Sequence, residues 1–185
     1  RSFVKYSRVP IINMESSTAH PLQGLADAIT LNEFKTPHKP KIVLTWAPHP
    51  KALPHAVGNS FTRMVRNLDV DFIIAHPKGY ALNPEITKGV KCVANQEEAL
   101  DGADFVYTKN WCSYEYYGQI LRTDDKWMIT SEKMELTNNG KFMHCLPIRR
   151  NIVATDSVLN SANSLVINQS ENRIYSAQAV LKQLL

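Results

Sequence analysis

Ile42-Val-Leu-Thr-Trp-Ala-Pro-His-Pro-Lys-Ala-Leu-Pro54 is a short apolar run, almost unbroken through Trp46, that stops at a loop with three prolines in seven positions. A run this short, rich in β-branched and aromatic residues, predicts a strand buried on both faces, as in a parallel sheet. The prolines restrict φ within the loop and lower the entropy lost when it is ordered.

The same rhythm extends in both directions. Val9–Met14, Val70–Ala75, Val90–Ala94, Phe105–Tyr107, Phe142–Leu146 and Leu165–Ile167 are further predicted strands, most bounded by Pro, Gly, Asn or Asp. Between them the predicted helices are Pro21–Phe34, Pro54–Leu68, Pro84–Lys88, Gln96–Asp101, Ser131–Thr137, Asp156–Leu159 and Glu171–Leu185. Such alternation reads as α/β: a doubly wound, mostly parallel sheet flanked by helices with right-handed crossovers. The last helix carries Ile174, Ala177, Val180, Leu181 and Leu184 at helical spacing, a stripe that must dock either here or on another domain.

Composition excludes several classes. The chain has 185 residues, 44% hydrophobic and 21% charged, enough for a real core. No stretch approaches the roughly 18 uncharged apolar residues of a membrane span. The net charge of +4 comes from residues 1–51, too small an excess to argue for nucleic acid. Cys92, Cys112 and Cys145 form no CxxC pair, and no leader sequence is visible, which favours a reducing cytosol. The seven glycines form neither GxGxxG nor a phosphate-cradling GxxxxGK[ST] loop. There is no G-x-S-x-G elbow, and the six histidines show no HExxH pair, so neither a metal nor a cofactor is expected.

In an open parallel sheet the ligand sits beyond the carboxyl ends of the strands. The groups expected there are Glu15 and His20-Pro-Leu-Gln23, the loop around His49, Lys109-Asn-Trp111, His144-Cys-Leu-Pro147 with Arg149, and Glu171-Asn-Arg173. His20-Pro-Leu-Gln23, His144-Cys-Leu-Pro147 and Glu171-Asn-Arg173, in this order, resemble the carboxyl-terminal, amino-acid-binding half of the aspartate and ornithine carbamoyltransferase family. The resemblance covers nearly the whole chain. It narrows to the N-acylornithine branch through Thr45-Trp-Ala-Pro-His-Pro50, Lys109-Asn-Trp111, Tyr117-Gly-Gln-Ile-Leu121 and His144-Cys-Leu-Pro-Ile-Arg-Arg-Asn151. Lys109-Asn-Trp111 stands where the ornithine enzymes carry an SMG-type loop, which argues against free ornithine as substrate. The fold implied is the amino-acid-binding domain of that family, with a backbone knot at the proline-rich loop.

The resemblance implies transfer of a carbamoyl group from carbamoyl phosphate to the δ-amine of an N-acylornithine, in arginine biosynthesis. Negative charge then builds on the carbamoyl oxygen, and donors already aimed at it stabilise the transition state. His20 and Arg173 are the implied donors, and the Gln23 amide oxygen and the Leu146 carbonyl the acceptors for the carbamoyl NH2. Pro21, Leu22 and Cys145 complete the carbamoyl-phosphate side, with Cys145 counted among the catalytic residues beside His20 and Arg173. Lys109 would pair with the acceptor's carboxylate and Glu15 would accept its amide N–H, with Leu146, His49, Asn59 and Arg149 as further acylornithine contacts. Val153 stands where acetyl-specific members carry a lysine, which favours a succinyl group.

The family's phosphate-binding S-T-R-T loop does not occur; the nearest string, Ser16-Ser-Thr18, lacks the arginine. The expected division is therefore a carbamoyl-phosphate-domain tail at 1–20, an interdomain helix and linker at 21–40, and an acylornithine-binding domain at 41–170. The helix at 171–185 would return to the missing domain. The expected assembly is a cytoplasmic homotrimer with shared active sites, the present chain being inactive alone. Transfer to ornithine or another amine, a non-catalytic small-molecule-binding domain and a divergent nucleotide-binding module are the alternatives.

Overall fold

A computed structural model describes residues 2–185. Five parallel strands form one sheet in the order β3-β2-β1-β4-β5. They are β1 (Lys41–Trp46), β2 (Asp71–Ala75), β3 (Lys91–Val93), β4 (Phe105–Lys109) and β5 (Lys141–Met143). The helices are α1 (Ser2–Tyr6), α2 (Pro21–Glu33), α3 (Ala56–Val65), α4 (Pro84–Thr87), α5 (Gln96–Leu100), α6 (Ser131–Glu135), α7 (Asp156–Leu159) and α8 (Val166–Leu184).

The central strand behaves as its composition requires: Ile42 through Trp46 are all buried. The two-residue period of a strand assigns its faces. Leu44 pairs with Tyr107 and Ile42 with Phe72, and Phe61 of α3 packs its ring on both Tyr107 and Phe72. Thr45 projects from the opposite face, where its hydroxyl accepts from Gln96 Nε2 of α5 at 2.7 Å. Helices therefore cover both faces. Full burial of a side chain such as Phe61 contributes on the order of 1.5–3 kcal/mol.

Helix α2 crosses α3 closely because residue 24 is glycine: a Cβ there would stand 3.1 Å from the Ser60 carbonyl oxygen. Pro21 opens α2 at its first turn, as the sequence predicts. The loop after β1 is pinned to the segment after β4: Asn110 Nδ2 donates to the Ala47 carbonyl and Cys112 N–H to the Leu53 carbonyl, both at 2.8 Å.

Two predicted strands are not strands. Val9–Met14 has no regular structure, since Pro10 removes a donor and Val9, Ile11 and Met14 are exposed with no neighbouring strand to pair with. Leu165–Ile167 opens α8 instead; its only sheet-like feature is one bridge between Ser164 and Phe142, after which the chain turns into helix. Helix α8 thus starts five residues before the expected Glu171. Its buried residues are Val166, Gln169, Asn172 and Ser176, and the last three bond to α2. The apolar stripe of Ile174, Leu181 and Leu184 remains exposed, with Ala177 and Val180 half-buried. Among the described residues, no helix is long and apolar enough to cross a membrane.

Candidate active site

Strands β1 and β4 are neighbours whose outgoing connections run to opposite ends of the sheet, so a crevice opens beyond their carboxyl ends. A cavity of about 330 Å³ lies there. Loops and helix ends from six segments line it: Glu15, His20 at the start of α2, His49 after β1, Lys109 ending β4, Cys145 and Leu146 after β5, and Arg173 of α8. Leu53 and Pro54 of the proline-rich loop, Ala56 and Val57 of α3, and Pro147 of the His144-Cys-Leu-Pro147 motif complete the wall; Ala56 and Val57 stand in no motif of the sequence. The three segments that carry the resemblance thus meet around one hollow.

Each group is held by a local cause. His20 is the N-cap residue of α2, and its backbone N–H donates to Ser60 Oγ at 2.7 Å. Burial lowers its pKa, and Arg173 and Lys109 push the same way against Glu15, so the ring is neutral at physiological pH. The His49 ring nitrogen Nδ1 accepts the Lys51 backbone N–H at 3.0 Å, and burial, Lys109 and Arg149 lower its pKa. Burial raises the Cys145 thiol against the pull of Lys109, leaving it protonated rather than a thiolate.

The turn after β5 is fixed by hydrogen bonds. His144 is buried, and burial, Lys109 and His49 hold its pKa well below the usual histidine value. Its Nδ1 accepts the Leu146 backbone N–H at 3.0 Å, which leaves the proton of the neutral ring on Nε2. Leu146 has φ +49, a left-handed conformation that costs a residue of this size free energy. That turn carries the Leu146 carbonyl.

Five of the expected residues do not line the cavity. Pro21 is exposed at the first turn of α2, and Leu22 is core, its carbonyl accepting from Ser176 Oγ. Gln23 is buried, with Nε2 bonded to Asp27 and Oε1 without a partner. Asn59 is buried in α3 and donates to the Thr18 carbonyl at 3.0 Å, which ties down the approach to His20. Arg149 is exposed beyond the turn, close enough to His49 to lower its pKa.

Residues 54–184 match the family model for the aspartate/ornithine carbamoyltransferase Asp/Orn binding domain. The chain belongs to the aspartate/ornithine carbamoyltransferase family. It is 49% identical over 185 residues to the N-succinylornithine carbamoyltransferase of Bacteroides thetaiotaomicron, covering 99% of this chain and 58% of that protein. To the N-acetylornithine carbamoyltransferase of Xanthomonas campestris pv. campestris it is 38% identical, covering 100% of this chain and 60% of the relative. Among solved structures, an acetylornithine transcarbamylase complexed with acetylcitrulline superposes with a TM-score of 0.89 at 36% identity, covering 100% of this chain and 61% of that one. The chain therefore spans about three-fifths of the length of the carbamoyltransferases it matches.

Proposed function

We propose that the protein carrying this chain transfers the carbamoyl group of carbamoyl phosphate to the δ-amine of an N-acylornithine, giving N-acylcitrulline and phosphate. The observation that carries the reading is the meeting of His20, Lys109, Cys145, Leu146 and Arg173 around one cavity at the carboxyl edge of the sheet. It contains cationic groups for a carboxylate and for a developing oxyanion, and a peptide carbonyl in the same wall.

In this reading His20 and Arg173 donate to the carbamoyl oxygen as its charge grows. Arg173 suits the task because its charge is permanent and its donors form a rigid fork. The Leu146 carbonyl and Gln23 Oε1 accept from the carbamoyl NH2, which distinguishes one end of the group from the other. Lys109 pairs with the acceptor's carboxylate, Glu15 accepts its amide N–H, and Cys145 packs as a neutral thiol beside the δ-nitrogen. His49 and Arg149 lie on the side of the acyl tail. Positioning supplies much of the remaining barrier reduction.

Succinyl is the favoured acyl group. Identity to the succinylornithine enzyme is 49% against 38% for the acetylornithine enzyme, and Val153, where a lysine marks acetyl-specific members, is buried. In this reading the phosphate-binding loop belongs to the two-fifths of the relatives' length that this chain does not match. In this reading residues 1–20 and the end of α8 pack on that part, and the exposed Phe3, Val9, Ile174, Leu181 and Leu184 are available for it. The enzyme would work as a cytoplasmic homotrimer with shared sites.

The test incubates the complete encoded polypeptide with carbamoyl phosphate and N-succinyl-, N-acetyl- or free ornithine, and assays the ureido product. The expected order of kcat/KM is succinyl, then acetyl, then free ornithine far behind. Preference for free ornithine would overturn the acceptor assignment, and no ureido product from any of them would overturn the transfer reading.

A further inference from the structure

Two helices far apart in sequence, α2 and α8, meet at a single carboxylate oxygen. Asp27, wholly buried on α2, accepts at Oδ1 from Gln23 Nε2 and from Gln169 Nε2 of α8, each at 2.7 Å. The Gln169 oxygen accepts the His144 backbone N–H at 2.8 Å, and His144 Nδ1 accepts the Leu146 N–H at 3.0 Å. One line of hydrogen bonds thus joins the His20-Pro-Leu-Gln23 segment, α8 and the turn that bears the Leu146 carbonyl.

The chemistry of a carboxamide makes this more than a tie. A Gln side chain has a donor end and an acceptor end of nearly equal size, and only its partners decide which way round it sits. Asp27 Oδ1 can only accept, so both glutamines turn their NH2 groups to it and their oxygens away. For Gln169 that oxygen meets His144. For Gln23 it is buried with no partner, at a residue only 1% exposed. An acceptor left unsatisfied in the interior costs free energy unless a ligand fills it.

We propose that Asp27 is a positioning residue for carbamoyl transfer: it locks the Gln23 amide oxygen toward the carbamoyl NH2 and, through Gln169, holds the turn that presents the Leu146 carbonyl. This rests on the carbamoyl-transfer reading above. Without Asp27 the Gln23 amide is free to rotate by half a turn, which sets its NH2 against the carbamoyl NH2, donor against donor. Protonation does not undo the lock. Burial raises the Asp27 carboxyl to about 7, and Oδ2, which bonds neither glutamine, can take the proton while Oδ1 goes on accepting. The groups facing the carboxyl are Gln23 on its own helix, Gln169 and Arg173 on α8, and the Tyr107 hydroxyl on β4. Cys145 faces that same hydroxyl.

The experiment is a double-mutant cycle on the complete encoded polypeptide with carbamoyl phosphate and N-succinylornithine, with folding checked by thermal unfolding. Asp27→Leu removes the acceptor and is expected to lower kcat by about 100-fold, the usual cost of a misplaced reacting group, with a much smaller change in acceptor KM. In a Gln23→Ala background the same substitution is expected to lower kcat far less, because the group it positions is already gone. Asp27→Asn keeps an oxygen in place of Oδ1 and is expected to recover most of the loss. If Asp27→Leu does not fold, Asp27→Ser, too short to reach either amide, takes its place in the cycle. Additive effects of the Asp27 and Gln23 substitutions in an active enzyme, or an Asp27→Asn enzyme as slow as Asp27→Leu, would overturn the positioning role and leave the transfer reading standing. A wild-type polypeptide that makes no ureido product would overturn both.

Discussion

The Ser60 hydroxyl accepts the His20 backbone N–H at 2.7 Å across forty residues of sequence, and this bond sets where the imidazole enters the cavity. It forms because Gly24 lets α2 rest directly on the Ser60 carbonyl. Ser60→Ala leaves a buried N–H without a partner, at a cost of about 1–3 kcal/mol. The melting temperature should fall, and kcat with it, since His20 loses its mooring. Normal turnover in a destabilised Ser60→Ala enzyme would separate this bond from catalysis.

The buried ionisable groups predict opposing pH dependences of stability. In the folded chain Asp27 titrates at about 7 rather than 3.8, so between those values the folded state holds a proton that the unfolded state has lost. Its contribution therefore declines as pH rises across that window, by about 4 kcal/mol in full. His144 acts in reverse: its folded pKa is depressed, so stability is lost as pH falls below the ordinary 6.5. Urea unfolding of Asp27→Asn against wild type isolates the first effect, with the variant gaining relative stability from about pH 5 to about pH 8. An unchanged difference at both pH values would contradict the buried carboxyl.

Cys145 should behave as a packing thiol. Burial raises its pKa and keeps it from the thiolate form, so an alkylating reagent at neutral pH should reach the exposed Cys92 first. Cys145→Ser should keep turnover within about tenfold of wild type. Loss of all activity on that substitution would give the Cys145 thiol a part in the chemistry itself.

Much of the fold is legible in the chain. The run from Ile42 to Trp46 and its counterparts at Val70–Ala75 and Phe105–Tyr107 mark a parallel sheet, because strands covered on both sides are largely apolar. Val9–Met14 carries similar residues but has no strand beside it, and Leu165–Ile167 turns into α8 after a single bridge from Ser164 to β5; pairing is not written in local composition. His20, Lys109 and Arg173 stand in motifs at strand and helix ends, where a sequence reading finds them. Asp27 and Gln169 do not. Asp27 reads as a polar residue within a helix and Gln169 falls between the predicted strand Leu165–Ile167 and the predicted helix Glu171–Leu185; their importance arises only where α2 crosses α8, and α8 inverts the usual expectation by burying Gln169, Asn172 and Ser176 while exposing Ile174 and Leu181. A carboxylate four residues after Gln23, on the same helix face, is the one local hint.

Lys109 should govern affinity for the acceptor. It ends β4 half-buried in the cavity wall, and its proposed partner is a carboxylate present in ground and transition states alike. Lys109→Ala removes a charge-assisted bond of about 1.5–3 kcal/mol, so KM for N-succinylornithine should rise by roughly 10- to 100-fold with kcat little changed. A fall in kcat at constant KM would move Lys109 to the carbamoyl side.

The central claim is that donors from distant segments converge on one developing oxyanion, and Arg173 tests it most directly. The residue is exposed, so its removal leaves the core intact, and in the proposed role it acts on charge that appears only at the barrier. Steady-state turnover of Arg173→Ala in the complete polypeptide, at saturating carbamoyl phosphate and N-succinylornithine, should fall by about 100- to 1,000-fold with the acceptor KM nearly unchanged. Turnover equal to wild type would contradict the account.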